Sequence, residues 1–106
     1  MIKISFFKNS DSVYTGFKAL GHAGYAISGQ DIVCSAVSVL IINTINSIET
    51  FTSDEYHLDT DEGTGLIEFR LKTSVSDESV LLLKSLILGL QGIIEDNGQK
   101  YIKLIL

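Results

Sequence analysis

The chain has 106 residues, a hydrophobic content of 45% and a formal net charge of −5. A chain of this length forms one domain, residues 1–106, without room for a separate substrate domain, so any site must lie on the fold itself. The acidic balance argues against nucleic-acid phosphate as the main partner, and we expect no direct contact with nucleic acid.

The number of cysteines and the hydropathy of the chain indicate the cellular compartment in which we expect the protein. The single cysteine, Cys34, forms no internal disulfide and no C-x-x-C metal pair, and we expect neither a metal nor a cofactor. Residues 1–7 alternate too regularly for a signal peptide. The longest near-apolar stretch, residues 36–42, falls short of the roughly 20 residues of a membrane-spanning helix. These observations predict a soluble cytoplasmic protein that does not contact a membrane.

The first half of the chain predicts a hairpin, a loop and a helix. Alternating apolar residues in 2–7 and 13–20 are typical of two paired strands. Residues 21–30 include three glycines and show little periodicity, which predicts a mobile loop. Asp31 has the character of an N-cap, and helical spacing of apolar residues follows over 32–52.

The second half repeats this architecture. Residues 55–61 and 66–73 predict a second hairpin, residues 76–96 a second helix, and residues 101–106 a last strand. The resulting order is ββαββαβ. It predicts an α+β fold, a two-layer sandwich in which an antiparallel or mixed sheet carries both helices on one face.

Both predicted helices have more apolar surface than one sheet face would cover. We therefore expect a homodimer that buries part of this surface. A monomer with a deeply buried pair of helices is the alternative. The residues in excess of the main helical stripes are Val39, Ile42, Leu81, Leu82 and Leu88.

Cys34 and His22 could form a nucleophilic site. With Asp31 as N-cap, Cys34 lies in the first helical turn, where unpaired backbone N–H groups and the helix dipole favour a thiolate. His22 could accept the thiol proton and later protonate a leaving amine, while helix N–H groups hold an oxyanion. Asp31 could orient the imidazole or only cap the helix. A buried, inert cysteine is the alternative for Cys34.

The predicted substrate-binding residues surround this pair. Tyr25 could line a groove or only cover the loop, and the glycines could serve turns alone. Ser38 follows Cys34 by four residues on the same helix face, where its hydroxyl could contact substrate or bond to its own backbone. The residues assigned to substrate binding are Gly21, Gly24, Tyr25, Gly29 and Ser38.

An acidic run flanks the second hairpin. A solvated strand edge that resists aggregation explains it best. A docking face for a basic substrate and a metal site are the less favoured alternatives. The run consists of Asp54, Glu55, Asp59, Asp61 and Glu62, with His57 among them.

The pattern G-H-A-G-Y-x(3)-G-x-D-I-V-C over residues 21–34 closely resembles the signature of the ribosomal-processing cysteine protease family, Prp. The predicted element order is similar as well, and Gly-Leu-Gln-Gly-Ile at 89–93 resembles a helix pattern of the family. Ala26 stands where the family often has glycine, and Ser35 where it often has alanine. Neither departure removes a reactive group.

The resemblance implies a bacterial endopeptidase that removes a short N-terminal extension from large-subunit ribosomal protein twenty-seven during ribosome assembly. The family histidine falls on His22, its nucleophile on Cys34, its aspartate on Asp31 and its flexible loop on residues 23–30. The resemblance also implies a homodimer and an apolar groove near Tyr25. A non-catalytic ribosome-assembly binding module and a redox-sensing thiol protein are the alternative functions.

Overall fold

The computed structural model describes residues 1–21, 28–96 and 98–106, and for residues 28–31 and 98 it describes the backbone alone. The observed order, ββαββαβ, confirms the predicted one. The strands are β1 (Ile2–Lys8), β2 (Tyr14–Leu20), β3 (Tyr56–Asp61), β4 (Leu66–Leu71) and β5 (Ile102–Ile105). The helices are α1 (Ser28–Phe51) and α2 (Asp77–Asp96), and a 3-10 turn over Gly98–Lys100 leads into β5.

The five strands form one mixed sheet in the order β3-β4-β2-β1-β5. All neighbouring strands are antiparallel except β1 and β5, which are parallel. Gly16 lies in the centre of this sheet, where an added Cβ would collide with the backbone carbonyl oxygen of Phe69. The absence of a side chain at Gly16 therefore permits the close pairing of β2 with β4.

One face of the sheet is buried beneath both helices. Alternate residues of β1 turn to this face, as do Phe17 of β2 and Phe69 of β4, whose ring centroids lie 5.5 Å apart. The sheet contributes Ile2, Ile4, Phe6, Phe17, Phe69 and Ile102 to the core. The helices contribute Val37, Ile41, Ile48, Leu83, Leu86 and Leu90. The fully buried side chains thus form one core between two layers.

The two helices approach closely at Gly89. A Cβ at this position would lie 2.9 Å from Cδ1 of Leu40 on α1, so the missing side chain lets the helices pack. Their outer faces remain apolar and uncovered, with Val39 66% and Leu88 71% exposed. A deeply buried helix pair, the alternative considered for a monomer, is therefore wrong for the single chain.

The first helix begins earlier than the sequence predicts. Helical backbone starts at Ser28, so Asp31 lies within the first turn and is not the N-cap. The last three residues of the predicted loop, 28–30, are part of α1. Gly29 is the second residue of this helix, so it does not carry the full cost of about 1 kcal/mol of a glycine in a helix interior.

The segment Ile32–Phe51 of α1 is long and apolar enough to cross a membrane when judged by length and composition alone. The expectation that no segment could span a membrane rested only on the longest near-apolar run, residues 36–42, which is too short to do so. The mean hydropathy over the helix corrects that expectation, because polar residues interrupt the apolar run without ending the helix. In the structure, Val33, Val37, Ile41 and Ile48 of this helix are buried in the core. That packing is typical of a core helix.

Candidate active site

Cys34 lies at an open groove of about 430 Å³ beside the N-terminal half of α1. Its side chain is half-buried, carries a free thiol and packs against the edge of the core. The apolar lining consists of Ile2, Ala19, Val37, Ile41, Leu66 and Ile67. The thiol is therefore not fully buried, because Cys34 borders a groove large enough for side chains of a peptide, and its reactivity stays a prediction.

The earlier start of α1 changes how Cys34 relates to the helix end. Cys34 is the seventh residue of the helix rather than a first-turn residue, so its own N–H belongs to the regular hydrogen-bonded part. The helix dipole acts mainly within the first turn, which weakens the predicted stabilisation of a thiolate by α1. Helical side chains lean toward the N-terminus, so the sulfur still points back along α1 toward residues 30 and 31.

Ser38 lines the same groove, one helical turn after Cys34. The hydroxyls of Thr44 and Thr52 bond back to the carbonyl oxygen four residues earlier, at 2.8 and 2.7 Å. Within the described part of the chain, the Ser38 hydroxyl forms no such bond. This difference favours substrate contact over backbone bonding, because the hydroxyl is available to a ligand in the groove.

Gly21 lines the groove and directly precedes His22 in the chain. Its φ is +97°, a backbone conformation that favours glycine. An added Cβ would also lie 2.6 Å from the carbonyl oxygen of Met1, so both the backbone and the available space disfavour a side chain here. The backbone N–H of Gly21 donates to the carbonyl oxygen of Thr64 at 3.2 Å. The chain that enters the predicted histidine loop is therefore tied to the β3–β4 turn.

The β3–β4 hairpin forms a groove wall that the sequence did not predict. Thr60, Asp61 and Glu62 line the groove opposite α1. Asp61 is held by the turn itself, accepting hydrogen bonds from the N–H of Gly63 at 3.0 Å and from the hydroxyl of Thr64 at 3.1 Å. The Asp61-Glu62-Gly63 turn was visible in the sequence, but its proximity to Cys34 depends on strand order.

The acidic run divides between different environments. Asp61 and Glu62 reach the groove, Glu55 lies 3.9 Å from the Lys72 ammonium, and His57 is exposed on the edge strand. Among residues with described side chains, no three histidine, cysteine or carboxylate groups converge in a way that could hold a metal ion. The run therefore combines a solvated edge with one acidic wall of the groove.

Several predicted site residues cannot be placed against Cys34. His22, Gly24 and Tyr25 lie outside the described residues, as does the loop segment 22–27. Gly29 belongs to the first turn of α1 and not to a loop, and the backbone of Asp31 lies one turn before Cys34. The structure thus brings Cys34, Ser38 and Gly21 together at one groove, and the pairing of Cys34 with His22 stays a prediction.

Comparisons with known proteins identify the family of this chain. The model of the family "Cysteine protease Prp" matches residues 1–103. The chain is 29% identical over 99 residues to the ribosomal processing cysteine protease Prp of Staphylococcus aureus, covering 93% of each chain. It is 29% identical over 100 residues to the protein of that name from Bacillus subtilis, covering 91% of this chain and 89% of the relative.

Solved structures show the same fold. The ribosomal processing protease Prp from S. aureus, in complex with a covalently linked product peptide, superimposes with a TM-score of 0.88 at 28% identity, covering 99% of this chain and 98% of that one. A complex of that protease with a substrate peptide gives the same TM-score, covering 98% of this chain and 97% of that one. The family match spans nearly the whole chain, so this chain belongs to the cysteine protease Prp family.

Proposed function

We propose that this chain cleaves the short N-terminal extension from large-subunit ribosomal protein twenty-seven, with Cys34 as nucleophile. The observation that carries the proposal is the half-buried free thiol of Cys34 at a groove with an apolar lining. An extended peptide that is apolar with aromatic character, as the resemblance implies for this substrate, would bury its side chains there. The relatives from S. aureus and B. subtilis are ribosomal processing cysteine proteases, which supports processing of a ribosomal protein as the class of reaction.

The chemistry follows nucleophilic catalysis. His22 removes the thiol proton, the sulfur of Cys34 attacks the scissile carbonyl carbon, and a tetrahedral oxyanion forms. Collapse of this species breaks the C–N bond while the imidazolium protonates the leaving amine, which gives a thioester and a free new N-terminus. Water then hydrolyses the thioester with His22 as base. The S. aureus relative was solved with a covalently linked product peptide, and this supports a covalent route here.

Oxyanion stabilisation in this proposal comes from the first turn of α1. The N–H groups of residues 28–30 have no partner within the helix. Cys34 follows residue 30 by four residues, about 6 Å further along the axis. A carbonyl carbon bound at the sulfur, which leans back over this turn, would therefore place its oxygen near these donors. Asp31 is proposed to orient His22, because it precedes Cys34 by one helical turn.

Mass spectrometry of a synthetic peptide that spans the extension tests the proposal. The wild-type protein should release two fragments, and Cys34→Ser should release none while still binding the peptide. Asp11→Asn, an exposed change in the turn between β1 and β2, is the matched control and should cleave at the wild-type rate. Tight binding without cleavage by the wild type would instead support a non-catalytic binding module.

We further propose that the protein is a cytoplasmic homodimer formed through the outer faces of α1 and α2. A second cavity of about 570 Å³ lies on these faces, lined by Val39, Leu40, Gly89 and Ile93 among others. Leu81 and Leu88 lie seven residues apart on α2 and are 67% and 71% exposed. Burial of this surface would remove a large apolar area from water.

Sedimentation velocity at micromolar concentration tests the dimer. The wild type should sediment as a dimer, and Leu88→Glu should shift it to the monomer without unfolding, because Leu88 makes little contact within its own chain. A wild type that sediments as a monomer would exclude the proposed interface.

A further inference from the structure

The face of the sheet opposite the helices carries an uneven charge distribution. β2, β1 and β5 lie side by side and contain Lys3, Lys8, Lys18 and Lys103, but no aspartate or glutamate. Half of the eight lysines and arginines of the chain therefore lie on three strands without an acidic residue, although the net charge of the chain is −5. The negative net charge of the whole chain therefore gives no indication of this local cationic surface.

Strand alternation turns three of these lysines to the uncovered face. Lys3 lies between the buried Ile2 and Ile4, and Lys18 lies between the buried Phe17 and Ala19. Lys103 follows the buried Ile102 in the same way. A shallow depression of about 110 Å³ is lined by Lys3 and Lys18, together with Ser5 and Leu20, which shows that these two side chains share one surface.

The register places like charges directly beside each other. Lys3 on β1 is the partner of Lys103 on β5, and Lys18 is the partner of Ser5, two residues along β1. Adjacent strands are about 4.8 Å apart, and like charges at paired positions destabilise a sheet. On its other side Lys18 is the register partner of Glu68 on β4, whereas Lys3 and Lys103 have no carboxylate partner within the described part of the chain. An external anion would relieve this repulsion.

A planar cation and an aromatic ring extend the same face. Arg70 of β4 reaches across Gly16 and places its guanidinium carbon 3.8 Å from the ring centroid of Phe7 on β1. One carboxylate, that of Glu68, lies 3.4 Å from Nε of Arg70. Stacked π surfaces beside ammonium groups on a sheet are the features with which proteins bind unpaired nucleotides.

We propose that this lysine face, defined by Lys3, Lys18, Lys103 and the Arg70–Phe7 stack, binds single-stranded RNA through its phosphodiester backbone. Charge complementarity with a polyanion carries the proposal. The choice of RNA among polyanions rests on the proposed function, because a ribosomal protein substrate is assembled on RNA. Binding here would hold the protease beside its substrate while the groove at Cys34, on the other side of the sheet, stays open. It revises the expectation of no nucleic-acid contact, which used the net charge alone.

Fluorescence anisotropy with a labelled 12-nucleotide single-stranded RNA tests the proposal. Non-specific binding through a few phosphates predicts a Kd of order 10⁻⁵ M at 50 mM salt. Three phosphate contacts predict a slope of log K against log[salt] of about −2, and so a roughly twentyfold loss of affinity between 50 and 200 mM salt. Lys3→Gln/Lys103→Gln should weaken binding at 50 mM salt about tenfold.

The matched control is Lys84→Gln/Lys100→Gln, which makes the same change in net charge and leaves Lys3, Lys18 and Lys103 in place. It should keep RNA affinity within about twofold of the wild type if the face is specific. The Lys3/Lys103 variant should also unfold at the same or a higher temperature, because it removes a like-charge pair. Loss of RNA binding in this variant would then not reflect unfolding.

Several outcomes would overturn the proposal. They are no RNA binding by the wild type at 100 µM protein and 50 mM salt, equal losses in the two double variants, or binding to polyglutamate or anionic vesicles as tight as binding to RNA. Peptide cleavage is measured in parallel and should be unchanged in Lys3→Gln/Lys103→Gln. Failure of RNA binding with normal cleavage refutes the lysine face alone, whereas absent cleavage with normal RNA binding refutes the proposed protease function.

Discussion

The buried hydroxyl of Ser79 donates a 2.6 Å hydrogen bond to the carboxylate of Asp54. The same carboxylate oxygen accepts the N–H of Ser76 at 2.9 Å and its hydroxyl at 2.6 Å. Ser76 in turn caps α2 by accepting the N–H of Ser79 at 3.2 Å. One acidic side chain thus joins the segment before β3 to the first turn of α2.

Asp54→Ala should destabilise the fold by about 2–3 kcal/mol, because it leaves the buried Ser79 hydroxyl without an acceptor and loosens the Ser76 cap. Chemical denaturation at neutral pH measures this loss. Asp59→Ala, an exposed position on the edge strand, is the control and should change the free energy of unfolding by less than about 0.5 kcal/mol. Equal effects of the two substitutions would show that the Asp54 network contributes little.

The stabilisation by Asp54 should depend on pH. Desolvation raises the pKa of Asp54, but the hydrogen bonds from Ser76 and Ser79 outweigh it and the pKa falls below its ordinary value of 3.8. A folded-state pKa below the unfolded value means that the contribution is complete well above pH 3.8. It is lost as the pH falls through 3.8 to the folded-state pKa. Unfolding free energies of wild type and Asp54→Asn should therefore converge in acid, and a constant difference would contradict this.

Gly21→Ala should impair both folding and peptide cleavage. The residue has a φ of +97°, and an alanine Cβ would meet the Met1 carbonyl oxygen at 2.6 Å, so the backbone entering the His22 segment must move. We expect a loss of about 1–3 kcal/mol in stability and at least a tenfold lower kcat/KM. Gly63→Ala is the matched control, because its Cβ would make an ordinary 3.4 Å contact with Asp61. Wild-type cleavage by Gly21→Ala would exclude a positioning role.

Ser38→Ala should lower kcat/KM about three- to tenfold without lowering the free energy of unfolding. Its hydroxyl lines the groove and makes no hydrogen bond with the described residues, so its removal costs the folded protein little. A peptide that uses the hydroxyl would lose one hydrogen bond of about 0.5–1.5 kcal/mol. Thr52→Val, which removes a 2.7 Å backbone-directed bond away from the groove, should show the reverse pattern. Unchanged cleavage by Ser38→Ala would place the peptide elsewhere.

The sequence predicted the fold well because its periodicities are strong. Alternation in β1 and the apolar spacing of α2 identify elements whose bounds agree with the structure within a few residues. The predicted start of α1 was wrong. Asp31 is a favourable N-cap residue and Gly29 is a poor helix former, so local preference placed the start after Gly29. Local propensity could not show that the helix continues back to Ser28.

The candidate site was predicted only in part for a different reason. Cys34, Ser38 and Gly21 are close in sequence to the recognised pattern, and the structure brings all three to one groove. The opposite wall, including Asp61 and Glu62, comes from a hairpin that is distant in sequence. Its proximity arises from the pairing of β2 with β4, which periodicity alone does not specify.

Alkylation of Cys34 in the wild type and in His22→Ala, followed as a function of pH, tests most directly whether this thiol is an activated nucleophile. The thiolate reacts and the thiol does not, so a histidine partner should accelerate alkylation at pH 6.5 by at least about tenfold over His22→Ala. Addition of substrate peptide should slow the wild-type reaction, because Cys34 lines the groove. Equally slow alkylation of both proteins, unaffected by peptide, would contradict the assignment of Cys34 and His22 as the reactive pair.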